Sequence, residues 1–448
     1  MKQFLIVVSV VAMVGCGPKG RENGDDDGAD AAVDGYQGPV SSVMGRVFAP
    51  NHGPGQTPPG QEIPIAGALV YVTTTQPAPI PDGVYCEQCV ATPQGGTLTG
   101  ADGSFLLEVP PGNYWLIIQK GQYRIDQMVG LSVGATALPP NQTTLPSQWN
   151  PAMGLYMPKV AMAQGTNDNI EDILAKLGIG TLSGNGFGGP LGEGGASEIA
   201  IYQYSGTAAG SVEFLLRNMD EMRKFHIIFF PCAVSMGSLN ALLSDQTVLA
   251  NIRRYVQEGG KLYVTDWSGE LADRAFPQQI QLGDSGADSE GTYDPAALTG
   301  TLTVTGDADG GFYNLSDGKV LDQGLHDWLG LQTGPTENGG VGLYNADSFE
   351  VTDLWNWVKK LNPVQIGVDA MDLPVYDTPK AWVTGTKPSE PGATQKPIAV
   401  TYEPTGCGKV LYTAFQTANA EHQGLYPQER VLLYLIMEIQ SCSDNPIF

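Results

Sequence analysis

Two hydrophobic periodicities divide the chain. Between residues 42 and 147 apolar positions recur in short runs, Val43 to Phe48, Ala68 to Thr74, Ser104 to Val109, Tyr114 to Lys120 and Met128 to Val133. A period of two is that of a strand with one buried face. In the fourth run Tyr114, Leu116 and Ile118 share one face, and Trp115, Ile117 and Gln119 share the other. Asp102-Gly103 and Pro110-Pro111-Gly112-Asn113 supply the turns, since glycine accepts positive φ and proline presets the backbone. No helical period interrupts the series. It predicts a small antiparallel β-sandwich of roughly seven strands.

From residue 156 to 442 the pattern changes. Strand-like runs at Lys159 to Ala163, Glu198 to Tyr202, Ile227 to Phe230, Leu262 to Thr265 and Val410 to Phe415 alternate with helical stretches. Asp168 with Glu171 forms a capping box, followed by the apolar stripe Ile170, Ile173, Leu174 and Leu177. A helix over about 245–258 is closed by Gly259-Gly260. A last one is opened by Pro427 and buries Val431, Leu432, Leu435, Ile436 and Ile439. Ile227 to Phe230 is uninterrupted and suits a strand buried on both faces. Alternating strand and helix predict a parallel sheet with helices on both sides. Residues 281–400 break the alternation and read as a long insertion with some β-structure. The fold class expected is therefore multidomain, a β-sandwich followed by an α/β domain.

Composition adds constraints. The 448 residues carry 47 acids against 23 bases, a formal charge of −24. Such a surface repels phosphate backbones and anionic headgroups, which excludes nucleic acid as a partner. At the start, Lys2 precedes an apolar stretch from Phe4 to Val14, too short for the roughly 20 residues that span a bilayer. It reads as a signal-peptide core. Residues 17–41, with Asp25-Asp26-Asp27, are polar throughout and read as a disordered tether reaching roughly 28 Å.

Cysteines raise a separate question. Cys86-Glu-Gln-Cys89 fits a loop staple, a redox dithiol or half of a zinc site, and no second pair stands at zinc spacing. Cys407 precedes a strand and Cys442 ends the last helix, so antiparallel packing would bring them together. The expected disulfides are Cys86–Cys89 and Cys407–Cys442, with Cys232 a buried small hydrophobe. No metal or cofactor site is expected. Asp307-Ala308-Asp309-Gly310 departs from a calcium loop at the following positions. Gly184-Asn185-Gly186-Phe187-Gly188-Gly189 follows a helix, the wrong order for a dinucleotide loop.

Three resemblances sharpen this picture. Met13-Val14-Gly15-Cys16 resembles the lipobox of bacterial lipoproteins, which implies acylation of Cys16 and anchoring in the cell envelope, at the outer membrane or cell surface. Gly45-Arg46-Val47, the run Pro64 to Val72, Thr99 to Phe105 and Val109 to Tyr114 resemble the carboxypeptidase regulatory-like domain. That family has a transthyretin-like sandwich and is grouped with carbohydrate-binding-like folds. It is an accessory module, so a glycan or an envelope protein becomes a candidate partner. Phe225 to Cys232, Asn251 to Asp266 and Gly408 to Phe415 resemble the class I glutamine amidotransferase-like superfamily, which implies a flavodoxin-like fold.

Active members of that superfamily place a cysteine on the turn after the strand ending here at Thr265. This chain has Asp266-Trp267-Ser268 instead. His422 lies in a place comparable to the family's histidine, but without the thiol it cannot run thiolate chemistry. The expected function is therefore a non-catalytic binding or structural role, with Thr166, Cys232, Asp266, Trp267 and His422 lining the crevice at the carboxyl ends of the strands. The alternative is an envelope hydrolase using Asp266, Ser268 and His422.

Overall fold

Among the described residues eight strands build the period-two half of the chain: β1 (Ser41–Arg46), β2 (Leu69–Thr73), β3 (Thr97–Leu98), β4 (Ser104–Val109), β5 (Gly112–Lys120), β6 (Tyr123–Leu131), β7 (Gly134–Ala137) and β8 (Leu155–Tyr156). The structure is a computed structural model. It describes residues 38–50, 62–87, 92–93, 95–164, 168, 170–177, 179, 199–232, 239, 241–282, 290–294, 299–303, 313–335, 340–388, 394–417 and 424–439. Cys16 and residues 17–37 of the expected tether lie outside the described residues; Ser41, at the tether's expected end, is buried and already belongs to β1.

The strands form two sheets, in the orders β4-β1-β7 and β3-β2-β5-β6-β8. Alternation along β4 is strict: Phe105, Leu107 and Val109 are buried while Ser104, Leu106 and Glu108 are exposed. These inward side chains share one core with Val43, Val70, Leu116, Ile118 and Ile125. The result is a β-sandwich. One pair departs from the antiparallel expectation, since β1 runs parallel to β7. Strand β8 pairs with β6 from beyond residue 147 and brings the count to eight.

The second half centres on one sheet. Its strands are β9 (Val160–Ala163), β10 (Ile199–Tyr202), β11 (Ile227–Phe230), β12 (Lys261–Thr265), β13 (Tyr313–Val320), β14 (Phe349–Leu354), β15 (Lys380–Thr386), β16 (Gln395–Tyr402) and β17 (Val410–Thr413). The spatial order is β10-β9-β11-β12-β17-β16-β15-β13-β14. The first five run parallel. Counted along the chain they stand in the order 2-1-3-4-5. Helices α1 (Ile170–Lys176), α2 (Val212–Arg217), α3 (Met219–Met222), α4 (Gln246–Gln257), α5 (Gly269–Ala275), α6 (Gln323–Gly330) and α7 (Pro427–Ile439) accompany them. Val431, Leu432, Leu435, Ile436 and Ile439 of α7 are all buried, as the stripe predicts.

The inserted residues, expected to hold some β-structure, join the parallel strands in the same sheet. Four of the nine strands, β13 to β16, come from this region and extend the sheet with antiparallel pairs. Without them β17 would be an open edge, exposing backbone donors and acceptors to other chains. With them Val410, Leu411, Tyr412 and Thr413 are fully buried. The molecule is thus mixed and β-rich, with several sheets.

Ala31–Phe448 is one compact unit, and residues 75–87 strap the sandwich to the sheet. Ile117, on the reverse face of β5, is as completely buried as Leu116 and Ile118, so both faces of that strand are covered. Arg124 donates to Ala78 O at 2.8 Å and pairs with Asp126 at 2.7 Å. Val84 N donates to Arg223 O, and Lys120 bridges to Glu438 of α7 at 2.8 Å. Gly259, at φ 103°, lets the strap pass, since a Cβ there would sit 2.0 Å from Tyr85 O. No helix among the described residues is long and apolar enough to cross a membrane.

Candidate functional site

Parallel strands in an α/β sheet deliver their following loops to one edge, where ligands ordinarily bind. Here that edge gathers Asp168 after β9, Pro231 and Cys232 after β11, Asp266 to Ser268 after β12, and Gln416 and Thr417 after β17. Strand β12 ends in a sharp turn. Asp266 has φ 47°, in the left-handed region that costs most non-glycine residues about 1 kcal/mol or more. A 3-10 turn over Asp266–Ser268 leads directly into α5 at Gly269. Glycine is needed there because a Cβ would lie 2.5 Å from the Tyr412 ring on β17.

The turn is sealed. Asp266 accepts from Trp355 N and from Gln416 Nε2, both at 3.0 Å. Its other oxygen is buried without a hydrogen-bond partner among the described groups. Burial pushes its carboxyl well above the usual carboxylate range, and the negative charges of Asp168 and Asp353 add to the effect. Ser268 is fully buried and donates to Pro231 O at 2.6 Å, a carbonyl that also receives Tyr204 Oη at 3.2 Å. Trp267 is half-buried, packs edge-on against Trp355 at 5.7 Å and donates to Trp355 O at 3.3 Å.

Asp168 stands at the centre of this network. One oxygen accepts from Thr265 Oγ1 at 2.5 Å, and the other accepts from Thr417 N and Thr417 Oγ1, each at 3.0 Å. Burial still raises its pKa, because hydrogen bonds offset only part of the desolvation. The Cys232 thiol is raised too, first by burial and then by the Asp266 and Asp168 charges. A thiol held protonated is a poor nucleophile. The edge therefore contains two buried acids with raised pKa values, a protonated thiol and a hydroxyl already engaged. Of the residues expected to line the crevice, Cys232, Asp266 and Trp267 are brought together there. Thr166 and His422 lie outside the described residues.

The disulfide expectations are overturned. Cys86 pairs with Cys407, across 321 positions, with Cα atoms 5.5 Å apart. The bond runs from the strap to the turn before β17, so neither Cys86–Cys89 nor Cys407–Cys442 forms. Sequence proximity favoured the short loop, but the strap carries Cys86 across to the sheet. Cys89 and Cys442 lie outside the described residues, and Cys232 is a free buried thiol.

His226 holds the same junction from the sheet side. Its Nδ1 accepts from Lys159 N at 2.8 Å, and Nε2 faces Pro81 O at 2.9 Å. A backbone donor on one nitrogen and a carbonyl on the other require the neutral, Nε2-protonated ring. Burial accordingly lowers its pKa from 6.5 to about 4. Beside it, Lys261 is buried, its ammonium without a hydrogen-bond partner among the described residues, 5.9 Å above the Tyr85 ring. Burial lowers that pKa to about 8, against the attraction of Glu87.

A groove opens next to His226, at the amino ends of the strands. It encloses about 530 Å³ and is lined by Asp82, Trp149, Met157, Lys159, Val160, Ala200, Lys224 and Phe225. The Lys159 ammonium pairs with Asp82 and lies 5.5 Å over the Trp149 ring. Trp149 also packs against His226 and Tyr156, each at 5.6 Å between ring centres. Lys224 stands at the rim, paired with Glu221 at 2.6 Å.

Sequence reasoning assigned Asp168 to a helix cap and gave no role to Trp149 or Lys159. An acid just past a strand end was a usable signal for Asp168. A tryptophan in the Ser-Gln-Trp-Asn-Pro link between the two halves was one for the groove.

Comparison with known proteins adds little. No family model matches the chain, and no curated protein does. Among solved structures, a DUF3823 family protein from Parabacteroides merdae aligns at 17% identity with a TM-score of 0.13, over 24% of this chain and 45% of that one. The chain thus spans under half of that protein's length, and the likeness is weak and partial.

Proposed function

We propose that this chain is an exported lipoprotein, acylated on Cys16 and held in the cell envelope, with a binding rather than a catalytic role. The strand order 2-1-3-4-5 supports a flavodoxin-like reading of the sheet, and with it the likeness to class I amidotransferase-like proteins. The left-handed turn at Asp266 resembles a nucleophile elbow that carries no nucleophile. The observation that carries the proposal is the state of this elbow. Asp266 and Ser268 are fully buried, and the Ser268 hydroxyl is engaged by a backbone carbonyl.

A hydrolase built on Asp266, Ser268 and His422 would need an ionised aspartate and an accessible hydroxyl. Burial and hydrogen bonding of the first two weigh against it. The sandwich, read as a carboxypeptidase regulatory-like module, serves as a platform, and a glycan or an envelope protein remains a candidate partner. Two measurements test the proposal. Ester, amide and glycoside substrates should turn over no faster with wild type than with Ser268→Ala; a rate lost in that variant would favour the hydrolase. Palmitate should label wild type and not Cys16→Ala; equal labelling would remove the anchor.

A further inference from the structure

We propose that the groove framed by Trp149, Lys159 and Lys224 binds a small monocarboxylic acid with an apolar body, an alkyl or an aryl acid. The inference rests on the binding role argued above and gives it a site and a ligand chemistry. At about 530 Å³ the groove falls within the roughly 300–1,000 Å³ of typical small-molecule pockets.

Its lining selects the ligand. Trp149, Met157, Val160, Ala200 and Phe225 form an apolar wall, and among the described lining residues the charged ones are Asp82, Lys159 and Lys224. A sugar entering here would leave several hydroxyls without partners, and each unmet buried hydroxyl is costly. An alkyl or aryl body makes no such demand. The charged groups lie together, Lys159 paired with Asp82 and Lys224 with Glu221, so an anionic end enters by taking one ammonium from its carboxylate. Lys224 is the available cation. Its side chain is 62% exposed, and Glu221, 17% exposed, keeps the Tyr202 hydroxyl at 2.6 Å when a ligand carboxylate takes the ammonium. Lys159 is drawn toward Asp82 and the Trp149 ring, which fixes its ammonium between them.

Asp82 opposes an acid, and this makes the proposal sharp. Its side chain is 67% exposed, so Asp82→Asn should leave the fold intact while freeing the Lys159 ammonium of its carboxylate. The experiment is calorimetric titration of the full chain with octanoate and 4-phenylbutyrate, and with 1-octanol and 4-phenylbutanol as neutral counterparts. At least one acid should bind saturably at one site, about tenfold tighter than its alcohol. Lys224→Gln should remove most of that difference. Asp82→Asn should tighten acid binding by about two- to fivefold. Octanoate alone would identify an alkyl site, 4-phenylbutyrate alone an aryl site, and both a site tolerant of shape.

No saturable binding of either acid to wild type would overturn the proposal. So would equal affinity for acid and alcohol, or weaker acid binding in Asp82→Asn. Chromatography of the recovered acid separates this inference from the one beneath it. An acid bound and released unchanged supports both; an acid bound and converted would keep the groove and sink the non-catalytic role.

Discussion

Replacing Cys407 with serine removes a cross-link between residues 321 positions apart. In the chain-entropy picture a loop of that length restricts the unfolded ensemble by about 5–6 kcal/mol, while measured values for single disulfides more often fall near 2–4 kcal/mol. Loss of the bond also frees the strap that carries the His226, Arg124 and Arg223 contacts. Cys407→Ser should therefore lose about 3–5 kcal/mol, a large part of the roughly 5–15 kcal/mol that stabilises an ordinary domain. The assay is urea unfolding of protein made under oxidising conditions, followed by tryptophan fluorescence and far-ultraviolet circular dichroism. Non-reducing peptide mapping should recover Cys86 and Cys407 in one cross-linked species. A Cys86–Cys89 staple would make Cys407 nearly irrelevant. A change below about 1 kcal/mol in Cys407→Ser, with no cross-linked peptide, would refute the reasoning.

Two further outcomes concern buried titratable groups. The folded state holds His226 neutral, so its contribution is complete above pH 6.5 and is lost as pH falls through about 4. The associated loss is roughly 3 kcal/mol, and His226→Gln should flatten the stability profile across that window; parallel profiles would contradict it. Asp266 behaves oppositely, because its folded pKa is raised: its contribution is present in acid and lost as pH rises. Asp266→Asn should gain on wild type in thermal unfolding as pH rises above the unfolded carboxylate range of about 4; destabilisation that grows with pH would contradict it.

Local patterns carried the local structure. The alternation around Phe105, Leu107 and Val109 and the stripe on α7 describe faces that any neighbour would bury, and the sequence located both. What it missed depends on distant partners. Nothing in the inserted residues announces that β16 pairs with β17, since pairing is chosen by the edge it meets. Cys86 and Cys407 are brought together by a strap whose path is set by contacts with Arg124, His226 and Gly259. At the candidate site the type of chemistry was legible and its state was not. Asp266 and Ser268 were named from the turn after β12, but only packing shows that burial raises the pKa of one and that a carbonyl occupies the other. Asp168 met the rule for a helix cap, and that plausible local role hid its position between Thr265 and Thr417. The groove draws its wall from the strap, the link and the sheet, so no single segment could reveal it.

The claim that the elbow is sealed is tested most directly by a fluorophosphonate probe, which reacts with activated serines. Native protein should show no adduct on Ser268 by intact and peptide mass spectrometry, with labelling no different in Ser268→Ala. A stoichiometric adduct on Ser268 in the native protein, absent from Ser268→Ala, would contradict the account.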